Sequence, residues 1–169
     1  MRPYHTQDGE ALASVAADTF RETFGHLYSP KDLESHLNNY CSRAYFERAL
    51  EEPNAHIILA WQDQQAIGYV QWGEVILPVT SPEEGAREIR RLYVRESHQT
   101  IGVGRQLFEH ALGECATAPA IYLGVWEHNH KAQRFYTRYG FTHVGEHYFL
   151  VGNHADRDLI WCKNNLTRG

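Results

Sequence analysis

Apolar residues recur at helical spacing through Ala11, Leu12, Val15, Ala16, Phe20 and Phe24, which predicts an amphipathic helix capped by Asp8. A short strand over Arg2–Thr6 precedes it. Residues 25–54 predict a second helical region, opened by Ser29-Pro30 and ended near Glu52-Pro53. The pattern then changes. His56–Trp61 and Ala66–Trp72 are apolar runs joined by the polar turn Gln62–Gln65, and they predict a hairpin. A loop over residues 78–85, with Pro78, Pro82 and Gly85, leads to a strand over Glu88–Val94. From about Gly102 to Thr117 the stripe Val103, Leu107, Phe108, Ala111, Leu112 and Cys115 returns to helical spacing. Ala120–Trp126 predicts a strand. Asn129 then opens a short helix with Ala132, Phe135, Tyr136 and Tyr139 on one face, stopped by Gly140. Closing strands fall near residues 141–151 and 156–163. This order predicts a mixed α/β protein built on one sheet, with residues 1–169 as one domain.

Composition narrows the class. At 169 residues, 43% hydrophobic and 22% charged, the chain has enough apolar material for a real core. Cys41, Cys115 and Cys162 are too widely spaced for a disulfide framework or a CxxC metal site and read as reduced thiols. No apolar run approaches the ~18 residues of a membrane span. The stretch Ala11–Ala17 imitates a signal sequence, but Asp8 and Glu10 precede it where a basic start belongs, so a cytoplasmic protein without a membrane partner is expected.

The net charge of −5 conceals an asymmetry: residues 1–84 carry 13 acidic and 5 basic side chains, residues 85–169 carry 8 and 11. A cationic half that holds phosphates and an acidic half that attracts a cation would account for it, as would ordinary solvated faces. The overall basic excess of a nucleic-acid-binding protein is absent.

The segment Gln99–Arg105 contains Gly102-x-Gly104 between a strand and a helix start. Glycines there let the backbone approach an anion, and the first helical N–H groups point at it with the positive dipole end. Arg105 or Arg95 would add charge. A nucleotide P-loop is excluded because Arg105-Gln106 stands where Lys-Ser/Thr is required. A dinucleotide fingerprint is excluded because Leu107 occupies the third glycine position.

Leu92-Tyr93-Val94, then Gln99-x-x-Gly102-x-Gly104, then Asn129-x-x-Ala132-x-x-Phe135-Tyr136-x-x-x-Gly140-Phe141 resembles the Gcn5-related N-acetyltransferase superfamily, with both signature segments in order. Leu123–Asn129 and the tail Gly145–Gly152 with Asp158–Ile160 look like its bacterial spermidine/spermine acetyltransferase subgroup. The resemblance implies an α/β (α+β) fold with a single mixed, mostly antiparallel sheet of about seven strands. Helices cover both faces, and a V-shaped splay separates the fourth and fifth strands. It implies acetyl-CoA as cosubstrate, with Leu92, Tyr93 and Val94 pairing with the pantetheine arm. Thr100, Ile101 and Val103, with Gln99, Gly102, Gly104 and Arg105, would cradle the pyrophosphate. Asn129, Ala132 and Phe135 would line the arm, and Tyr136 would protonate the departing thiolate.

An amine with a pKa near ~10 must lose a proton before it attacks a thioester, and a carboxylate working through water is one way to remove it. The resemblance makes Glu88 the candidate, because the family often places a glutamate on this strand; it has the strand parity of Leu92 and Val94 unless a bulge intervenes. A surface salt bridge to Arg90 is its structural alternative. The mechanism needs no covalent intermediate, which leaves Cys115 and Cys162 as packing residues. Of the eleven histidines, only His128/His130 and His143/His147 are closely spaced, without a carboxylate set, so no metal is expected. His98 lies beside the phosphate loop.

The resemblance implies an acceptor pocket built by the first two helices and the later strands, here residues 20–50, with Glu22, Glu34, Glu47, Tyr28, Tyr40 and Tyr45 offering an acidic, aromatic lining suited to a small polyamine. A peptide amine or aminoglycoside, or a non-catalytic acetyl-CoA sensor, are the alternatives. The strand Leu159–Cys162 is apolar enough to pack against a second chain, as in a homodimer, or against its own sheet.

Overall fold

The structure is a computed structural model and describes residues 1–165. Its elements in chain order are β1 (Arg2–Pro3), α1 (Gly9–Phe24), α2 (Pro30–Tyr40), α3 (Arg43–Ala49), β2 (His56–Gln62), β3 (Gln65–Gly73), β4 (Arg87–Val94), α4 (Val103–Glu114), β5 (Ala120–Trp126), α5 (His130–Arg138), β6 (Thr142–Val151) and β7 (His154–Asn164). The seven strands form one sheet in the order β1-β2-β3-β4-β5-β7-β6. β4 and β5 run parallel, joined by the crossover through α4, and the other neighbours are antiparallel.

Strand alternation divides the interior into two cores. Ile58, Ala60, Val70, Ile89 and Val94 face α4, meeting Leu107, Phe108 and Ala111. Ile57, Leu59 and Tyr69 face α1, meeting Leu12, Val15, Ala16 and Phe20. The hairpin turn Asp63–Gln64 has both φ angles positive, at 47° and 65°, the twist that a two-residue connection between antiparallel strands requires.

Three local expectations are corrected. The first strand stops at Pro3, because a 3-10 turn over Thr6–Asp8 follows. Asp8 does not cap α1: its buried carboxylate receives both Arg2 guanidinium nitrogens at 2.6 and 2.7 Å and the His5 N–H at 2.9 Å. The helical region 25–54 divides in two, since Ser42 starts α3 by accepting from the Tyr45 N–H. The strand Leu159–Cys162 is covered by its own sheet, paired on one edge with β5 and on the other with β6.

Candidate active site

β4 and β5 pair only at Arg87–Ile121 and Glu88–Tyr122, then diverge. From Ile89 onward the β5-facing edge of β4 has no strand partner, while β3 holds its other edge through Leu92–Val70 and Val94–Gly68. Unpaired N–H and C=O groups on such an edge accept an extended amide-bearing ligand as an added strand.

Gly102 stands at the mouth of this opening with φ of 86°, a left-handed conformation that turns the chain into α4. No side chain caps α4, so its first-turn N–H groups keep their positive dipole end turned outward. Gln99 ties this loop to both sides of the opening: its Nε2 donates to the Val94 carbonyl at 3.2 Å, and its Oε1 accepts from Lys131 Nζ at 3.2 Å. Asn129 accepts the Ala132 N–H at 3.1 Å and thereby starts α5, which explains its place in the motif. Phe135 and Tyr136 pack on Phe108 with ring centroids 5.1 and 5.2 Å away. Burial pushes the Tyr136 hydroxyl well above its ordinary range, so it stays protonated through neutral pH.

The arginines expected at the phosphate loop are engaged elsewhere. Arg95 donates to Asp18 at 2.7 Å and to the Ala66 carbonyl at 2.9 Å, which fixes β4 to α1. Arg105 pairs with Glu109 at 2.8 Å. Arg90 bonds Glu52 at 2.6 Å, and Arg91 donates to the Tyr40 carbonyl while lying 4.7 Å over the Tyr45 ring. Two ion pairs, Arg90–Glu52 and Arg95–Asp18, thus join the basic second half to the acidic first. His98 contacts its neighbour Ser97.

The register corrects the parity of Glu88. Gln71 pairs with Arg91 but Trp72 pairs with Ile89, so Arg90 is an extra residue in β4 and the strand's faces exchange there. Glu88 therefore points away from the face of Leu92 and Val94. It does not pair with Arg90 either: its Oε2 accepts the Ile76 and Leu77 N–H groups at 2.7 and 2.9 Å and pins the loop before β4. Burial raises its pKa, opposed by those two hydrogen bonds.

The carboxylates expected to line the acceptor pocket are engaged elsewhere, and the acidic groups beside the opening come from a different part of the chain. Glu22 accepts the Glu96 N–H, Glu34 lies 3.8 Å from Arg21, and Glu47 pairs with Arg43. Tyr40 and Tyr45 surround Arg91 and His36 rather than the opening. The Tyr28 hydroxyl donates to the buried Asp156 of β7. His154 contacts the other Asp156 oxygen at 3.1 Å.

Asp158 follows on the same face of β7, opposite Trp126 of β5 and His147 of β6. Phe24 closes the group, edge-on to Trp126 at 5.8 Å and to Tyr93 at 6.5 Å. Burial, then the charge of Asp156, raises the Asp158 pKa to about 6. Period-two alternation puts both aspartates on one face of β7. Only the sheet order brings that strand beside β5, so sequence reasoning missed them.

The three cysteines are buried, and burial pushes the Cys115 thiol up to about 11, which suits packing rather than attack. Among the described residues no cluster of three or more His, Cys, Asp or Glu side chains is arranged to hold a metal, and no helix is long and apolar enough to cross a membrane.

A sheet opened between its two parallel strands, with a free strand edge and a glycine-started helix at the opening, is the architecture of a coenzyme-A-dependent acyltransferase. Residues 10–141 match the model of the Acetyltransferase (GNAT) family, and the chain belongs to that family. It is similar to an N-acetyltransferase of Lactobacillus delbrueckii subsp. lactis, 30% identical over 93% of this chain and 92% of the relative. An N-acetyltransferase of Mycobacterium bovis is 28% identical over 92% and 97%. The fold matches the PaiA N-acetyltransferase of Thermoplasma acidophilum, solved with coenzyme A, with TM-score 0.75 at 21% identity, covering 96% of each chain. It also matches the ribosomal-protein-S18-alanine N-acetyltransferase of Escherichia coli, with TM-score 0.71 at 16% identity over 99% and 94%. The protein is an acetyl-CoA-dependent N-acetyltransferase.

Proposed function

We propose that the protein transfers the acetyl group of acetyl-CoA to a primary amine of a small polycation, such as spermidine or spermine, by direct attack in a ternary complex. The observation that carries this reading is the carboxylate pair Asp156 and Asp158 beside the splay, framed by Phe24, Tyr28, Tyr93 and Trp126. Carboxylates attract a cation, aromatic faces add cation–π attraction, and a chain of amines separated by methylenes satisfies both. The likeness of Leu123–Asn129 and the tail to polyamine acetyltransferases points the same way.

On the cosubstrate side, the free edge at Leu92, Tyr93 and Val94 pairs with the pantetheine amides. The N–H groups from Gln99 through Thr100, Ile101, Gly102, Val103, Gly104 and Arg105 hold the pyrophosphate. Asn129, Ala132 and Phe135 line the arm. A backbone N–H near Val94 stabilises the negative charge that builds on the thioester oxygen. Tyr136, kept protonated by burial, gives its proton to the departing thiolate. A carboxylate of the cleft, Glu88 or Asp158, takes the proton that the ammonium must lose.

The test is incubation with acetyl-CoA and a panel of spermidine, spermine, a lysine peptide, an N-terminal peptide and an aminoglycoside, with acetylated product read by mass. Preference for the polyamines supports the reading. Turnover of another amine alone overturns the acceptor, and acetyl-CoA binding without turnover of any amine favours a sensor module.

A further inference from the structure

The spot at which a carboxylate would meet the incoming ammonium is marked by Gly124. It lies on β5 two residues beyond Tyr122, where the pairing with β4 ends, and so on the opened part of the strand. A Cβ at Gly124 would lie 3.9 Å from Asp158 Oδ2 and 3.8 Å from His147 Nε2. Glycine therefore leaves a methyl-sized space, bounded by Leu77 Cδ2 at 3.6 Å, onto which two polar atoms from two other strands converge. The His147 Nε2 is buried and without a hydrogen-bond partner, an expensive condition for an imidazole unless a ligand satisfies it.

The three carboxylates of this region differ in what they already hold. Asp156 is engaged on both oxygens by Tyr28 and His154. Glu88 accepts two backbone N–H groups on Oε2, at the closed end of the splay. Asp158 accepts no hydrogen bond from the described residues and faces the Gly124 gap.

We infer that the Asp158 carboxylate, rather than that of Glu88, removes the proton from the incoming ammonium, while His147 Nε2 accepts a second N–H of the same group. The inference rests on the amine-acceptor reading above and names its base. The ammonium gives one proton to Asp158, and the neutral nitrogen then forms its bond to the thioester carbon. As the C–S bond breaks, Tyr136 protonates the sulfur. The nitrogen's second proton restores Tyr136, the amide keeps the third, and Asp158 releases its own to solvent.

The titratable groups facing Asp158 are Asp156 on its own strand, His147 on β6, Tyr93 on β4 and Tyr28 ahead of α2. Burial lowers the His147 pKa, so that imidazole is neutral and able to accept. Burial likewise raises both tyrosines, which stay protonated, and the Asp158 carboxyl beside Asp156 titrates at about 6.

The experiment is the pH profile of kcat/KM for the best acceptor, from pH 5 to 9.5, in wild type, Asp158→Asn, Asp158→Glu and Glu88→Gln, with acetyl-CoA affinity measured alongside. Wild type rises through about pH 6 and then stays level. Asp158→Asn loses about 100-fold at pH 7 and climbs about tenfold per pH unit to pH 9, following the free-amine fraction, with acetyl-CoA affinity unchanged. Asp158→Glu restores a level region, and Glu88→Gln keeps one. A level Asp158→Asn profile at reduced height, or the climbing profile in Glu88→Gln instead, overturns the assignment. Wild type that binds acetyl-CoA yet acetylates no amine overturns the acceptor reading, a result distinct from either.

Discussion

On the face covered by α4 and α5, the side chains that meet are almost all apolar: Leu107, Phe108, Ala111, Val94, Leu123 and Phe141 are buried against one another. On the face beneath α1 and α2, the buried set includes His36, Gln71, Asp156 and Glu88, with Arg91 lodged among aromatic rings. In the function proposed above, the first face holds the cosubstrate by backbone groups and a rigid packing of rings. In that same proposal the second face admits a cation and moves a proton, which takes side chains that are costly to bury. One sheet thus carries a face optimised for packing and a face that gives up stability for chemistry.

The strongest way to break this contrast is to hollow the apolar face. Phe108 is fully buried and touches the rings of Phe135, Tyr136, Tyr139 and Phe141. Phe108→Ala is expected to cost about 3–5 kcal/mol in denaturant unfolding and to weaken acetyl-CoA binding, because the rings that position α5 lose their support.

The polar face responds to pH instead. Burial, with help from Arg91, lowers the His36 pKa from 6.5 to about 4. The unfolded chain then takes up a proton below pH 6.5 that the folded chain refuses until about pH 4. The stability that neutral His36 contributes is complete above that window and is lost across it as pH falls, by roughly 2–3 kcal/mol. Stability measured between pH 7 and 4 shows this slope in wild type, and His36→Phe flattens it.

Asp158 tests the cost of function with the opposite sign. Its pKa is raised from 3.8 to about 6, so its stability contribution is full below 3.8 and lost as pH rises through about 6. At pH 7.5 Asp158→Asn is therefore expected to gain about 1 kcal/mol, or ~3 °C in Tm, while it loses activity. A lower Tm would mean that the carboxylate is structural.

The smallest effect on stability is at Gly124, where an added Cβ meets neighbours at 3.6–3.9 Å, ordinary contact distances. Gly124→Ala is expected to change stability by less than about 0.5 kcal/mol. It raises the acceptor KM about tenfold by filling the space between Asp158 and His147, and acetyl-CoA affinity is unchanged.

The same contrast explains what the sequence disclosed. The cosubstrate face rests on local features: a glycine that turns into a helix at Gly102, the Asn129 cap, and the spacing of Phe135 and Tyr136. Each lies within a few residues of its neighbours, so the motif and the strands over 87–94 and 120–126 were legible. The acceptor face joins Tyr28 to Asp156, 128 residues away, and its strands meet through a sheet order that no local pattern encodes. Glu22, Glu34 and Glu47 were plausible by charge, yet each is engaged by a nearby N–H or arginine. The Glu88 parity turned on one extra residue, Arg90, for which alternation gives no sign.

The most direct test of this division is one pair of numbers for Asp156→Asn: the acetyl-CoA Kd by calorimetry and the KM for spermidine by product mass. With the cosubstrate held by one face and the acceptor by the other, Kd stays within about twofold while KM rises tenfold or more, as expected when the negative charge that attracts the cation is removed. If the two constants move together, or if KM does not change, the division is wrong.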